Sequence, residues 1–107
     1  LVGDKGQVLI SLQGTQQGNI FTFNDQGKKM VAISGNSDGL GAIETYNPET
    51  GKALVSILAN GTDGAILTLN KQGQKLVQIS SDGSRGGSVN SWDRKGKEYF
   101  LTRRSTD

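Results

Sequence analysis

Gly18-Asn19-Ile20-Phe21-Thr22-Phe23-Asn24-Asp25-Gln26-Gly27-Lys28-Lys29-Met30-Val31-Ala32-Ile33-Ser34 is the stretch on which the fold turns. Its two halves, Ile20 to Asn24 and Met30 to Ser34, are short, rich in β-branched and aromatic residues, and bounded by Gly, Asn and Asp. Such segments read as strands; they are too short for helices and carry no 3.6-residue period. Between them lies Asn24-Asp25-Gln26-Gly27. Asn bonds its own backbone in a type I turn and Gly takes the left-handed position that follows, so a hairpin with a glycine bulge is predicted.

The same pattern recurs along the whole chain. Gly18, Gly41, Gly64 and Gly87 recur at a spacing of 23 residues. Ile20, Ile43, Ile66 and Val89 follow two positions later, then Thr22, Thr45, Thr68 and Ser91. Next come Phe23, Tyr46, Leu69 and Trp92, and then Asn24, Asn47, Asn70 and Asp93. A second glycine column is Gly27, Gly51, Gly73 and Gly96, with Pro48 in the one turn that carries an extra residue. Pro suits the first central position of such a turn. Gly6, followed by Leu9-Ile10-Ser11-Leu12, marks the second half of an earlier unit. One domain is therefore expected over 1–107, with a partial unit at 1–17 and units at 18–40, 41–63, 64–86 and 87–107.

The links between hairpins are looser and glycine-rich, and short enough to make successive hairpins neighbours. The prediction is all-β: an antiparallel hairpin meander of about nine or ten strands. Ile20 and Thr22 fall on one face, Phe21 and Phe23 on the other. Both faces carry apolar groups, unlike a sheet with one wet side. A single sheet cannot bury both, so the meander either curls into a small barrel or shell, or packs against copies of itself. The favoured expectation is a trimeric β-prism or β-solenoid-like fibre, with Ile and Thr at a crowded axis and glycines where backbones approach closely. A propeller blade needs about 40 residues or more, well above this period.

Composition narrows the chemistry. Of 107 residues 16 are Gly, one is Pro, and none is Cys or His. That excludes disulfides, thiolate nucleophiles and cysteine zinc sites, together with Ser-His-Asp triads and histidine switches. No apolar run approaches the length of a membrane-spanning helix. The start, Leu1-Val2-Gly3-Asp4, shows no signal-peptide pattern and no initiator Met, and reads as a processed chain or a piece of a longer one.

Tyr46-Asn47-Pro48-Glu49-Thr50-Gly51-Lys52 and Phe23-Asn24-Asp25-Gln26-Gly27-Lys28 resemble two repeat groups. One is the YD repeats of bacterial Rhs-type proteins, whose hairpins spiral into a shell. The other is the hairpin-repeat shafts of phage tail fibres and spikes, many of them homotrimers. The resemblance implies a structural role and supplies no catalytic residues. The chain departs from the usual YD pattern in having mostly Asn and Lys where that pattern has Asp and Arg, and in Leu69 within the aromatic column.

Candidate chemistry is sparse. A glycosidase needs two carboxylates facing across a cleft, whereas Glu44, Glu49 and Glu98 are scattered and Asp4, Asp25 and Asp93 fall in turns. Asp38-Gly39, Asp63-Gly64 and Asp82-Gly83 recur in the connectors, but Asp-Gly is ordinary turn chemistry and no calcium-loop pattern is present. Gly35 to Gly39 and Gly83 to Gly87 lack phosphate-loop spacing and a following helix. Asn60-Gly61-Thr62 matches a glycosylation sequon, and Asn-Gly is equally a turn dipeptide. Residues 84–107 carry six Lys or Arg against three Asp or Glu. Arg94, Lys95, Lys97, Arg103 and Arg104 lie near Trp92, Tyr99 and Phe100, a mixture that also serves to blunt a sheet edge.

The expectation is a non-enzymatic structural module of an extracellular, cell-surface or virion fibre or spike, self-associating as a homotrimer. It needs no cofactor and no metal, and neither nucleic acid nor membrane insertion is expected. The alternative is a carbohydrate-binding repeat module, in which Tyr46 and Trp92 with Asn47 and Asp93 form shallow sugar sites, or a fragment of a Rhs-like shell.

Overall fold

The computed structural model describes residues 1–14, 17–35, 38–81 and 86–101. Features read from the sequence at Asn36, Ser37, Asp82, Gly83, Ser84, Arg85, Arg103 and Arg104 lie outside the described residues. The strands are β1 Ile10–Gly14, β2 Gly18–Phe23, β3 Lys29–Gly35, β4 Gly41–Tyr46, β5 Ala53–Asn60, β6 Asp63–Leu69, β7 Lys75–Ser81, β8 Gly87–Trp92 and β9 Glu98–Phe100. They form one antiparallel sheet in chain order, with β1 and β9 at opposite ends. The sheet is open: the meander does not close into a barrel. Its radius of gyration is 17.1 Å, against about 13 Å for a compact chain of this length.

Register repeats with the units. Ile20 pairs with Ile33, Ile33 with Ile43, Ile43 with Ile57, Ile57 with Ile66, and Ile66 with Ile79. Side chains alternate between the faces of a strand, so these isoleucines form one unbroken row on one side, here termed the isoleucine face. Thr22, Val31, Thr45, Val55, Thr68 and Val77 make a parallel row two residues nearer the turns. Phe21, Ala32, Glu44, Ser56, Leu67 and Gln78 lie on the opposite, aromatic face. Register shifts fall at the same place in the first three full units, after Thr22, Thr45 and Thr68, and β8 pairs with β9 without one. An extra residue beside the turn swings the next side chain.

The turns bear out the Asn-x-x-Gly reading. Asn24 Oδ1 accepts from the amides of Gln26 and Lys28 at 3.0 and 2.9 Å. Asn70 Oδ1 accepts from Gln72 and Gln74, each at 3.0 Å. Gly27 has φ +78 and Gly73 φ +86, the left-handed region where glycine carries no Cβ penalty. In the longer turn, Asn47 Oδ1 accepts from Glu49 at 2.8 Å, and Thr50 Oγ1 takes over the amide of Lys52 at 3.2 Å.

The N-terminal segment goes further than the partial unit expected for it. Val2 bridges to Val8, and the Gly6 amide bonds the Gly3 carbonyl at 3.0 Å. Gly3 has no side chain to cap this turn, and Gln7 Oε1 accepts the Lys5 amide at 3.0 Å instead. The β5–β6 connector is also tighter than a loose glycine link. Asn60 pairs directly with Asp63, and Gly61 has φ +72 at the first central position, as in a type II′ turn.

The sheet has almost no core of its own. The buried described residues are Ala32 at 1%, Ser56 at 4% and Ala65 at 7% exposure, all on the aromatic face. Phe21, Leu58, Leu67 and Trp92 on that face are half-buried. Ile20, Ile33, Ile43, Ile57, Ile66 and Ile79 are each 40–47% exposed.

Candidate functional site

The strand–turn junctions carry the candidate residues. Alternation along β2, β4, β6 and β8 places Phe23, Tyr46, Leu69 and Trp92 on the aromatic face at the turn ends of those strands. Tyr46 and Trp92 therefore stand four strands apart, about 19 Å at the usual strand spacing. The structure brings Tyr46 beside Asn47 and Trp92 beside Asp93, but does not bring the two pairs together.

Tyr46 is tied into a polar cluster. Its hydroxyl donates to Glu44 Oε1 at 3.1 Å, and Ser56 Oγ donates to Glu44 Oε2 at 2.8 Å. Burial first, and then the Glu44 carboxylate, push the Tyr46 hydroxyl above its ordinary pKa. Lys29 Nζ lies 4.5 Å from the Tyr46 ring centre and 5.2 Å from that of Phe21. Lys75 Nζ lies 5.8 Å from the Trp92 ring centre, within the range of a cation–π contact. Lys29 and Lys75 occupy the same place in their units, two residues after a turn glycine. Sequence reasoning missed both. The signal was the alternation Lys29, Ala53, Lys75, Glu98 after the turns, but their meeting with the aromatic column depends on pairing with the next hairpin.

Asn47 and Asp93 spend acceptor capacity on their own turns. Asp93 Oδ1 accepts from the Lys95 and Lys97 amides at 2.9 Å each, and Oδ2 accepts from the Tyr99 hydroxyl at 3.4 Å. The Lys97 amide foremost, with those of Lys95 and Gly96 and the Tyr99 hydroxyl, holds the Asp93 carboxyl below its ordinary pKa. A cleft of about 700 Å³ opens beside Trp92, between the turns that begin at Asn70 and Asp93, with Lys75, Lys95 and Glu98 on its walls. The corresponding recess at Tyr46 holds only about 70 Å³. The two junctions are alike in sequence and unlike in space.

Among the described residues no three His, Cys, Asp or Glu side chains gather as a metal site requires. No helix among them is long and apolar enough to cross a membrane. No protein-family model and no curated protein matches the chain.

Proposed function

We propose that this chain is a non-enzymatic structural module, a segment of rigid β-shaft from an extracellular or virion fibre or spike, in which three copies complete one another's core. The observation that carries the reading is the isoleucine row. Six large apolar side chains on six neighbouring strands remain 40–47% exposed, while the buried residues described above are two alanines and a serine. Folding stability comes chiefly from apolar burial, and this sheet leaves its most regular apolar row in water. A repeat array stabilises itself through its neighbours, and here the missing neighbour lies across the face. The mechanism is mechanical: many similar hydrogen-bonded hairpins give a stiff wall, and packing between walls gives a shaft.

The test is the mass in solution. Light scattering is expected to give three times the chain mass of 11.3 kDa. A monomer that melts cooperatively overturns the reading.

The cleft beside Trp92 favours a second reading, a glycan-binding module. The indole supplies a flat apolar surface, and Asn70, Asp93 and Lys75 supply polar groups at its rim. Glycan-array binding that disappears in Trp92→Ala would move the assignment to this reading.

A further inference from the structure

Resting on the shaft reading, we infer that the isoleucine face is the surface that meets the other copies. Its central row points at a three-fold axis, and its glycine row lies at the corner where the next copy approaches. Three rows make up this face. Leu12, the six isoleucines and Val89 form the middle row. The Thr/Val row flanks it toward the hairpin turns. On the other side, the pairs Gly14–Gly18, Gly35–Gly41, Ala59–Gly64 and Ser81–Gly87 line up as a row of small residues. No Asp, Glu, Lys or Arg stands in any of the three rows.

Within the small row, a Cβ on Gly14 would crowd the Gln17 carbonyl oxygen at 3.0 Å and one on Gly35 the Leu40 carbonyl oxygen at 3.3 Å, but the single sheet does not require glycine at Gly18, Gly41, Gly64 or Gly87. Gly41, Gly64 and Gly87 have no positive φ. A Cβ built on Gly41, Gly64 or Gly87 meets its nearest atom at 3.9, 3.8 or 3.7 Å, ordinary contact, and at Gly18 meets nothing within 4 Å. Glycine weakens a strand relative to residues with a side chain. Four glycines at one spacing, with room for a Cβ and no need of a left-handed backbone, require a neighbour outside the chain.

The profile across the face fits a triangular prism. A wall of six residues is about 20 Å wide, which puts the axis of a three-sided prism about 6 Å from each wall, near half the ~10 Å spacing of packed sheets. That distance suits isoleucine in the middle row. Toward each corner the walls converge, which suits glycine, alanine and serine. The small row of one copy then meets the Thr/Val row of the next, a head-to-tail contact that closes after three. A flat sandwich has uniform thickness and gives no reason for rows graded small, large and medium.

A second copy fits better than an unrelated partner. The face repeats with the strand spacing itself, and only a sheet of the same period stays in step across eight strands. Eight strands at ~4.8 Å by about 20 Å give on the order of 800 Å² per copy, the size of a standard interface half.

The test uses sedimentation of the whole chain over a concentration series. Ile43→Thr with Ile57→Thr is expected to raise the concentration for half-assembly at least tenfold, and Gly41→Val with Gly64→Val at least as much. Gln78→Lys on the aromatic face is expected to leave it within about twofold. The valine pair carries the sign test, because valine favours strands. If the small row faces water, that pair strengthens the sheet and leaves assembly unchanged or improved. Wild-type trimers that persist in both face variants, or that fall apart in Gln78→Lys alone, overturn this inference and leave the shaft reading standing. A wild-type monomer at every concentration overturns both.

Discussion

The glycines of the hairpin turns and the glycines of the strands recur at nearly the same spacing, yet the structure uses them differently. Gly27 and Gly73 have φ +78 and +86, which an L side chain rarely adopts. Gly18, Gly41, Gly64 and Gly87 have no such angle and have space for a Cβ. The turn glycines answer a local demand of the backbone that exists in any isolated hairpin. These four strand glycines answer no such demand among the described residues. Periodicity alone records that a position is constrained, and backbone geometry says whether the constraint is internal.

The largest effect that can break this contrast is at the turns. Gly73→Ala places a Cβ in a left-handed conformation, which costs an L residue about 1–2 kcal/mol. Urea unfolding at fixed protein concentration is expected to show that loss. An unchanged midpoint would mean that the turn relaxes without cost and that the two columns do not differ. Asn70→Ala comes next. It leaves the Gln72 and Gln74 amides without their shared acceptor, and one lost side-chain hydrogen bond costs roughly 1 kcal/mol. Asn70→Asp keeps the acceptor and is expected to restore most of the stability. Failure of that rescue would show that the amide, not the turn bond, matters.

Gly64→Ala tests the other column and has the opposite sign. Alanine in a strand interior is favoured over glycine by roughly 0.5–1 kcal/mol, and the nearest atom to the new Cβ is the Leu58 carbonyl oxygen at 3.8 Å. Denaturant melts below the assembly concentration are expected to show a gain in stability, while association above it weakens. A loss below that concentration would make the strand glycines structural in the single sheet and dissolve the contrast.

These differences explain what was legible in the sequence. Turn capping joins residues two to four apart, so the hairpins at Asn24 and Asn70 could be read directly, and strand parity then placed Ile20 against Phe21. The cap at Gly3 was hidden because the acceptor comes from Gln7, outside the Asn-x-x-Gly pattern. The openness of the isoleucine face was hidden because both faces carry apolar residues, and relative cover depends on neighbours from other strands. At the candidate junctions, Tyr46 and Trp92 stood out as a column. Their partners Lys29 and Lys75 did not, because each comes from the preceding hairpin and meets the ring only through register. The unequal recesses of about 70 and 700 Å³ beside two similar junctions follow from such non-local packing as well.

The smallest expected effect separates the columns by pH. Asp93 caps the last turn as a carboxylate, with its pKa held down by the Lys97 amide foremost and then by its other turn donors. A group depressed in the folded state contributes stability that is complete above its unfolded value, near 3.9 for Asp, and is lost as pH falls through the lowered folded value. Asp93→Asn keeps an oxygen for the Lys95 and Lys97 amides, as Asn24 and Asn70 do in their own turns, and removes the titration. Its stability between pH 2 and pH 5 is therefore expected to fall less steeply than that of the wild type. Gly64→Ala is expected to shift the whole curve without changing its slope, because the substitution neither adds nor removes a titrating group. If Asp93→Asn leaves the acid slope as steep as before, the carboxylate is not what the last turn leans on. If Gly64→Ala changes the slope, the strand column is coupled to a charge that the charge-free isoleucine face does not contain.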